Sequence, residues 1–412
     1  MTHPTTTHPP YDPERELKDL EPWQRELREQ FPIITGNPDL AYLDSAATAQ
    51  KPQAVLDAVH AYLTTSNANA ARGSYLWANR TTELVERAKD RVRSFLGDPE
   101  AGSGRPRSGV RFTGGTSEGL RTVARDWLAD RLADGDEILV PGADHRANHD
   151  PWLEVQRLLA DRGVHVRVRE LPYQAGSGDY DHRAFPGLVG PRTRFVAATH
   201  VHHVHGGDMN VHRIREAVGP DVPICLDAAQ SVGHLPVSVE RLDVDFVVFS
   251  GHKALALPGT GAVWSRDTRG PAFRPGGWQG TPNTAGIASL EAALCWLDAA
   301  GTDRIDRWTT ALAARLTDEL RHCPSYEILG CQASLAAGPA VQRRHGIVTF
   351  RHRDIPSDDL GFILDSHGFM VRADALCQAG QPEEQGSVRV SVHVYNTVEE
   401  IDRLLTVLVE LA

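Results

Sequence analysis

Of the 43 basic residues in this chain, 39 are arginine, and the lysines are Lys18, Lys51, Lys89 and Lys253. Arginine serves wherever a positive charge suffices, but a guanidinium cannot condense with a carbonyl. A lysine closing an apolar run, as Lys253 does in VDFVVFSGHK (244–253), therefore points to imine chemistry. A second apolar run, VPICLDAAQ (222–230), leads to Asp227. The spacing of the two suits a right-handed crossover between neighbouring parallel strands, which sets Asp227 and Lys253 at one sheet edge, where α/β folds bind ligands. A plain ion pair is the alternative reading of such a pair. The segment GGTSEG (114–119) follows the apolar run 110–113 and precedes a helix, so its amides and the hydroxyls of Thr116 and Ser117 can cradle a phosphate. Ser250 and His252 add phosphate donors, and His145 adds a ring to stack on a flat heterocycle. Cradle, ring, carboxylate and imine-capable lysine together match pyridoxal 5'-phosphate (PLP).

The elements that must position these groups alternate. From about residue 42 to 300, helical stretches alternate with short apolar runs at 110–113, 137–140, 194–198, 222–226 and 246–249. That is the pattern of an α/β domain with a mostly parallel sheet sandwiched by helices. After Gly301 come a long amphipathic helix, mixed strands at 346–350 and 387–392, and a final helix at 398–411, which read as a smaller α+β domain. Residues 13–30 read as an amphipathic helix with alternating charges. The expected organisation is an N-terminal arm (1–32), a large cofactor-binding domain (33–298) and a small C-terminal domain (299–412).

Composition excludes several other classes. A net charge of −11 without a basic run argues against nucleic acid or an anionic membrane as partner, and no stretch is apolar for long enough to span a bilayer. Cys225, Cys295, Cys323, Cys331 and Cys377 are scattered and odd in number, which gives neither a disulfide framework nor a zinc site. The start, MTHPTTTHPPYDPE, lacks the basic and apolar parts of a secretory signal, so a cytoplasmic location is expected. The four histidines of THVHHVHGG (199–207) alternate at a strand end without a local carboxylate cluster, so no metal is expected there.

Eight ordered runs carry a resemblance from residue 31 onward: AYLDSAATAQKP (41–52), NANAARG (67–73), GGTSEG, DHRAN (144–148), LDAAQ (226–230), FSGHK (249–253), GTPNTAGI (280–287) and SVRVSVHVYNT (387–397). The chain resembles the fold-type I, class V aminotransferase family of PLP enzymes, and within it the Suf-type cysteine desulfurases, which implies a large domain whose mostly parallel sheet has seven strands. The resemblance implies that Lys253 carries PLP, Asp227 pairs with its ring nitrogen and Gln230 bonds its phenolic oxygen. By the same resemblance His145 stacks on the ring, and Thr116, Ser117, Ser250 and His252 hold the phosphate. Thr281 would reach the cofactor from the other subunit of a homodimer. Arg389 would clamp the substrate carboxylate, with Arg372 and Asn67 as further substrate-binding residues. Cys377, in VRADALCQAG, matches the cysteine that takes sulfur from L-cysteine, with release of alanine and onward delivery to a sulfur-acceptor protein.

Three departures from the family pattern stand out. His203 occupies the place of an asparagine near the phenolic oxygen. Ala373, Asp374, Ala375 and Leu376 replace a threonine-glycine-histidine-histidine run before the cysteine, and PAFRPGGWQGTPN (271–283) is shortened. These keep open a lyase that acts by β-elimination with Cys377 idle. A non-catalytic binding protein would need to have lost Lys253 or Asp227, and both are present.

Overall fold

The computed structural model describes residues 11–104, 106–174, 176–267, 281–330, 344–374, 376 and 386–412. Seven strands form the central sheet: β1 (Gly109–Thr113), β2 (Glu137–Pro141), β3 (Arg167–Leu171), β4 (Thr193–Thr199), β5 (Ile224–Asp227), β6 (Phe246–Ser250) and β7 (Gly261–Ser265). Their order is β1-β7-β6-β5-β4-β2-β3. β7 runs antiparallel to both its neighbours, while the pairings among β6, β5, β4, β2 and β3 are parallel. The expected mostly parallel seven-stranded sheet is present.

Because side chains alternate along a strand, each central strand serves two cores. Val247 and Phe249 of β6, Leu226 of β5 and Val196 and Ala198 of β4 join one, with Val85, Val92, Leu290 and Leu294 of the covering helices. Phe246 and Val248, Cys225, and Phe195 and Ala197 join the other, with Leu120, Leu128, Trp152 and Val155. The final residues Thr199, Asp227 and Ser250 continue the rows of Ala197, Cys225 and Val248, so parity turns all three toward the second face. The helix Thr116–Thr122 starts above that same face. It comes close because Gly119 has no side chain: a Cβ there would stand 2.4 Å from Val248 Cγ1 and 2.9 Å from Val263 Cγ2.

The C-terminal part forms a second sheet from β8 (Tyr326–Ile328), β9 (Ile347–His352), β10 (Arg372–Asp374) and β11 (Ser387–Ser391), in the order β8-β9-β11-β10 and antiparallel throughout. Its core unites Val348, Phe350, Val388 and Val390 with Trp308 and Leu312 of the helix Thr302–Leu320 and Leu404 and Leu408 of the helix Val398–Glu410. The last helix opens on a full capping box between Thr397 and Glu400. The N-terminal helix Pro13–Arg28 buries Leu17 and Leu20 in this same core. Its alternating charges pair outward, Arg307 with Glu16 at 2.7 Å and Arg315 with Glu14 at 2.6 Å. Among the described residues no helix is long and apolar enough to cross a membrane.

Replacing Gly119 with valine should push the helix Thr116–Thr122 off β6 and destabilise the protein by about 1–3 kcal/mol, as overpacking of a filled core does. Thermal denaturation checks this, and an unchanged Tm would mean that the helix does not rest on the sheet at Gly119.

Candidate active site

The carboxyl ends of the parallel strands open into a cavity of about 260 Å3. Eleven of the expected site residues line it: Thr116, Ser117, His145, His203, Asp227, Gln230, Ser250, His252, Lys253, Arg372 and Arg389. β5 and β6 pair in register with Asp227 opposite Val248, which sets Asp227 beside the turn Gly251–Lys253 that follows β6. Gly251 ties that turn down, its N–H donating to the Thr260 carbonyl at 2.7 Å.

Burial pushes the Asp227 carboxyl up to about 6, against the opposing pull of the Ala229 N–H and of Lys253. Burial likewise pushes the Lys253 amine down to about 8, helped by Arg389 and Arg372 and opposed by Asp227. Both groups move toward neutrality because water no longer stabilises their charged forms. His145 Nδ1 accepts the Ala147 N–H at 3.1 Å, which leaves the neutral ring's proton on Nε2. Burial, then Lys253, Arg372 and Arg389, hold its pKa down to about 4.

At the other end of the cavity, Ser250 Oγ accepts the Thr116 N–H at 2.9 Å and lies 2.8 Å from Thr116 Oγ1. Gly115 before them has φ +151°, where a side chain would be strained and its Cβ only 3.2 Å from Ser250 Oγ. Gln230 donates through Nε2 to the Ala46 carbonyl at 2.9 Å. Arg389 reaches in from β11, its Nη2 on Asp44 Oδ1 at 3.0 Å and its Nη1 on the His203 carbonyl at 3.1 Å. Arg372 lies directly opposite Arg389 on β10 and clasps Asp374, Nε to both carboxylate oxygens at 3.0 and 2.9 Å.

These residues fit PLP. A buried carboxylate with a raised pKa suits a cationic ring nitrogen, a hydroxyl pair beneath a side-chain-free Gly115 suits a phosphate, and a part-neutral lysine suits an imine. Four polar atoms of cavity-lining residues, Asp144 Oδ1, Gln230 Oε1, His203 Nδ1 and Arg389 Nε, are buried without a hydrogen-bond partner among the described residues. Such atoms are rare unless a ligand or water completes them.

Other expected residues lie elsewhere. Asn67 is exposed and outside the cavity, its Oδ1 accepting the Tyr62 hydroxyl at 3.3 Å. Thr281 is exposed too and does not line this chain's cavity. Cys377 lies outside the described residues. Sequence reasoning missed Asp44, which holds Arg389, Asp374, which holds Arg372, and Leu376, which lines the cavity. Asp44 stood inside the quoted run 41–52, but its partner depends on a contact across the chain. The histidine run also acquires a carboxylate its local sequence lacks: Asp144, His202 and His203 bring candidate metal-ligand atoms within 4.8 Å of one another. Three of their four ring nitrogens are engaged, with His202 Nε2 on the Ala143 carbonyl, its Nδ1 accepting from Val204 and His205, and His203 Nε2 on the Leu376 carbonyl, while His203 Nδ1 has no partner among the described residues.

The aminotransferase class-V family matches residues 41–404. The chain belongs to that family. A cysteine desulfurase of Cronobacter sakazakii is 32% identical over 94% of this chain and 98% of its own length. The cysteine desulfurase CsdA of Escherichia coli is 31% identical over 92% of this chain and 95% of its own. Among solved structures, the apo cysteine desulfurase of Thermococcus onnurineus superposes with a TM-score of 0.81 at 26% identity, covering 94% of this chain and 97% of that one. The CsdA structure from Escherichia coli gives 0.77 at 28%, covering 94% and 98%. The class V membership and the fold-type I architecture expected from the sequence are thus established. The finer likeness to the Suf-type branch rests on the sequence motifs alone, since these relatives carry other names.

Several histidines packed around the site make stability depend on pH. Burial holds His200 and His234 down to about 4, and His203 and His393 well below the usual imidazole range. Unfolded, each takes up a proton near pH ~6.5, whereas folded it stays neutral to a much lower pH. The unfolded state therefore binds more protons, and stability that is complete above pH ~6.5 is lost as the pH falls toward 4. Asp227, raised to about 6 by burial, and Asp44, also raised by burial, act in the opposite direction, but two carboxyls do not offset four imidazoles. The Tm of the protein should fall steadily as the pH is lowered from ~7.5 to ~5. A Tm that stays level would mean that these histidines accept protons in the folded state.

Proposed function

We propose that this protein is a PLP-dependent cysteine desulfurase that moves sulfur from L-cysteine to Cys377 and releases alanine. The observation that carries the reading is the meeting of Lys253, Asp227 and Arg389 in one cavity whose far end offers the Thr116–Ser250 hydroxyl pair. PLP held by Lys253 supplies an electron sink for the pair left on the substrate Cα. Asp227 would keep the ring nitrogen protonated, His145 would lie against the ring, and Thr116, Ser117, Ser250 and His252 would bind the phosphate. Arg389 binds the substrate carboxylate in a two-pronged grip, with Arg372 beside it, and so fixes which bond at Cα is broken. Lys253, whose amine burial holds at about 8, takes the Cα proton. The Cys377 thiolate then bonds to the substrate sulfur as the substrate Cβ–S bond breaks. The electron pair of that bond passes to the carbon side, where protonation at Cβ and return of a proton to Cα give alanine. A persulfide stays on Cys377, ready for a sulfur-acceptor protein, and alanine leaves.

The working unit in this reading is a homodimer in the cytoplasm. The helices Gln53–Thr65 and Leu76–Phe95 and the segment joining them expose Leu56, Leu63, Tyr75, Leu76 and Trp77, and Ile33 is exposed nearby in the chain. So much bare apolar surface is uncommon on a monomer. Asn67 sits on that joining segment, and the Tyr62 hydroxyl ties it to Thr284, 2.6 Å away and three residues from Thr281. Asn67 and Thr281 therefore share a face that a second copy would bring to its partner's cavity. Few and scattered cysteines suit a reducing compartment.

Cys377→Ser should end alanine formation while leaving cofactor absorbance and cysteine binding in place, and mass spectrometry of the cysteine-treated wild type should find one added sulfur on the Cys377 peptide. Lys253→Ala should lose both turnover and the imine absorbance. Undiminished turnover by Cys377→Ser, with pyruvate as product, would replace sulfur transfer by β-elimination.

Trp77→Asp paired with Leu63→Asp should convert a dimer into a monomer in analytical ultracentrifugation and lower cofactor retention. A wild-type protein that sediments as a monomer at micromolar concentration would remove Thr281 and Asn67 from the site.

A further inference from the structure

Two departures of this chain from its family meet each other in space. His203, which replaces the asparagine, donates through Nε2 to the Leu376 carbonyl at 3.0 Å. Asp374, one of the residues that replace the family run before Cys377, accepts the Leu376 N–H on Oδ1 at 2.8 Å. Both backbone groups of one residue are thus held by side chains from two different parts of the fold. Leu376 is buried, lines the cavity, and has φ +46°. For a residue with a Cβ that left-handed conformation is strained, and it persists only where the surroundings over-determine it.

Each half of the grip is itself fixed. Asp374 is clasped by the Arg372 guanidinium through two hydrogen bonds from Nε and an ion pair from Nη2 at 2.8 Å. The His203 backbone receives Arg389 Nη1, and its ring stands edge-on to His145 with centroids 5.1 Å apart. The hydrogen bond to Leu376 fixes the neutral ring's proton on Nε2, so His203 offers no N–H at its other nitrogen. Its contribution in this chain is directed at the Leu376 peptide.

We propose that His203 and Asp374 are positioning residues that latch Leu376 to the cavity wall and thereby set the access of the next residue, Cys377, to the substrate sulfur. This rests on the reading that Cys377 receives the sulfur. Histidines missing from the segment before the cysteine are replaced, in this account, by one histidine that holds that segment from the opposite wall.

The test is the rate of Cys377 alkylation by iodoacetamide in the holoenzyme, followed by peptide mass mapping with exposed Cys295 as the internal reference. His203→Phe keeps a ring and loses the donor, Asp374→Ala loses the acceptor, and Asp374→Asn keeps an acceptor while losing the charge. Alkylation should rise about tenfold in His203→Phe and Asp374→Ala, the shift expected for loss of one buried hydrogen bond. In Asp374→Asn it should stay within about twofold of wild type. Asp374→Ala should also lower kcat for alanine more than Asp374→Asn does, because both variants lose the ion pair with Arg372 but only Asp374→Ala loses the acceptor for the Leu376 N–H. Wild-type alkylation in both His203→Phe and Asp374→Ala overturns the latch. So does an Asp374→Asn protein that behaves like Asp374→Ala, which would assign the effect to the ion pair with Arg372. Retained turnover in Cys377→Ser defeats sulfur transfer separately and leaves the alkylation comparison to decide whether Leu376 is latched.

Discussion

A carboxylate and an amine lie side by side at the ends of two neighbouring parallel strands, largely out of water, and the rest of the site is arranged around that fact. Asp227 and Lys253 each lose hydration that their mutual attraction restores only in part, so the acid moves up to about 6 and the amine down to about 8. A solvated pair would settle as two inert ions. Here the acid is poised to welcome a cation and the amine to act as a nucleophile or base, which are the two demands of a PLP site. The backbone enforces the arrangement through parity. Thr199, Asp227 and Ser250 end rows that begin with Ala197, Cys225 and Val248, and a one-residue slip in any of these strands would turn its last side chain to the other face of the sheet.

The crossover was legible in the sequence because β5 and β6 are buried on both faces and read as apolar runs. β3, with the sequence RVREL, was not found, because as the outer strand it is mostly exposed and charged. β10 is only Arg372–Asp374 and carries no pattern at all. The site was legible to the same extent. Residues at strand ends and in the turns just beyond them, such as Asp227, Ser250, Lys253 and Thr116, announce themselves by position. Asp44 and Asp374 do not, since each acts through an arginine whose neighbourhood depends on strand register. Asn67 was found by motif yet lies outside this chain's cavity, because its motif does not state which subunit's site it serves, whereas Thr281, also outside, was already assigned by the resemblance to the other subunit.

Arg372 and Arg389 show what register adds. They face each other directly across β10 and β11, an arrangement in which like charges repel. Asp44 answers Arg389 and Asp374 answers Arg372, so the four side chains form two ion pairs rather than one positive patch. Asp374 also holds the Leu376 N–H, which joins the carboxylate-binding end of the cavity to the segment that leads to Cys377. A local conflict of this kind, resolved by residues recruited from elsewhere, is what a functional site looks like when the fold alone would not choose it.

The same logic explains why an acid beside Arg389 does not spoil it for a substrate. Arg389 has five donors, and two of its three nitrogens are engaged, Nη2 with Asp44 and Nη1 with the His203 carbonyl. Burial raises the Asp44 carboxyl while Arg389 lowers it, so Asp44 is a weaker partner than a free carboxylate at the protein surface would be. An arriving amino-acid carboxylate, already ionised and brought in on a second charge-assisted contact, meets a guanidinium whose plane is fixed on two sides and whose Nε has no partner among the described residues. The contacts that Asp44 and His203 make are thus orienting contacts: they remove the freedom that a long arginine side chain would otherwise lose on binding.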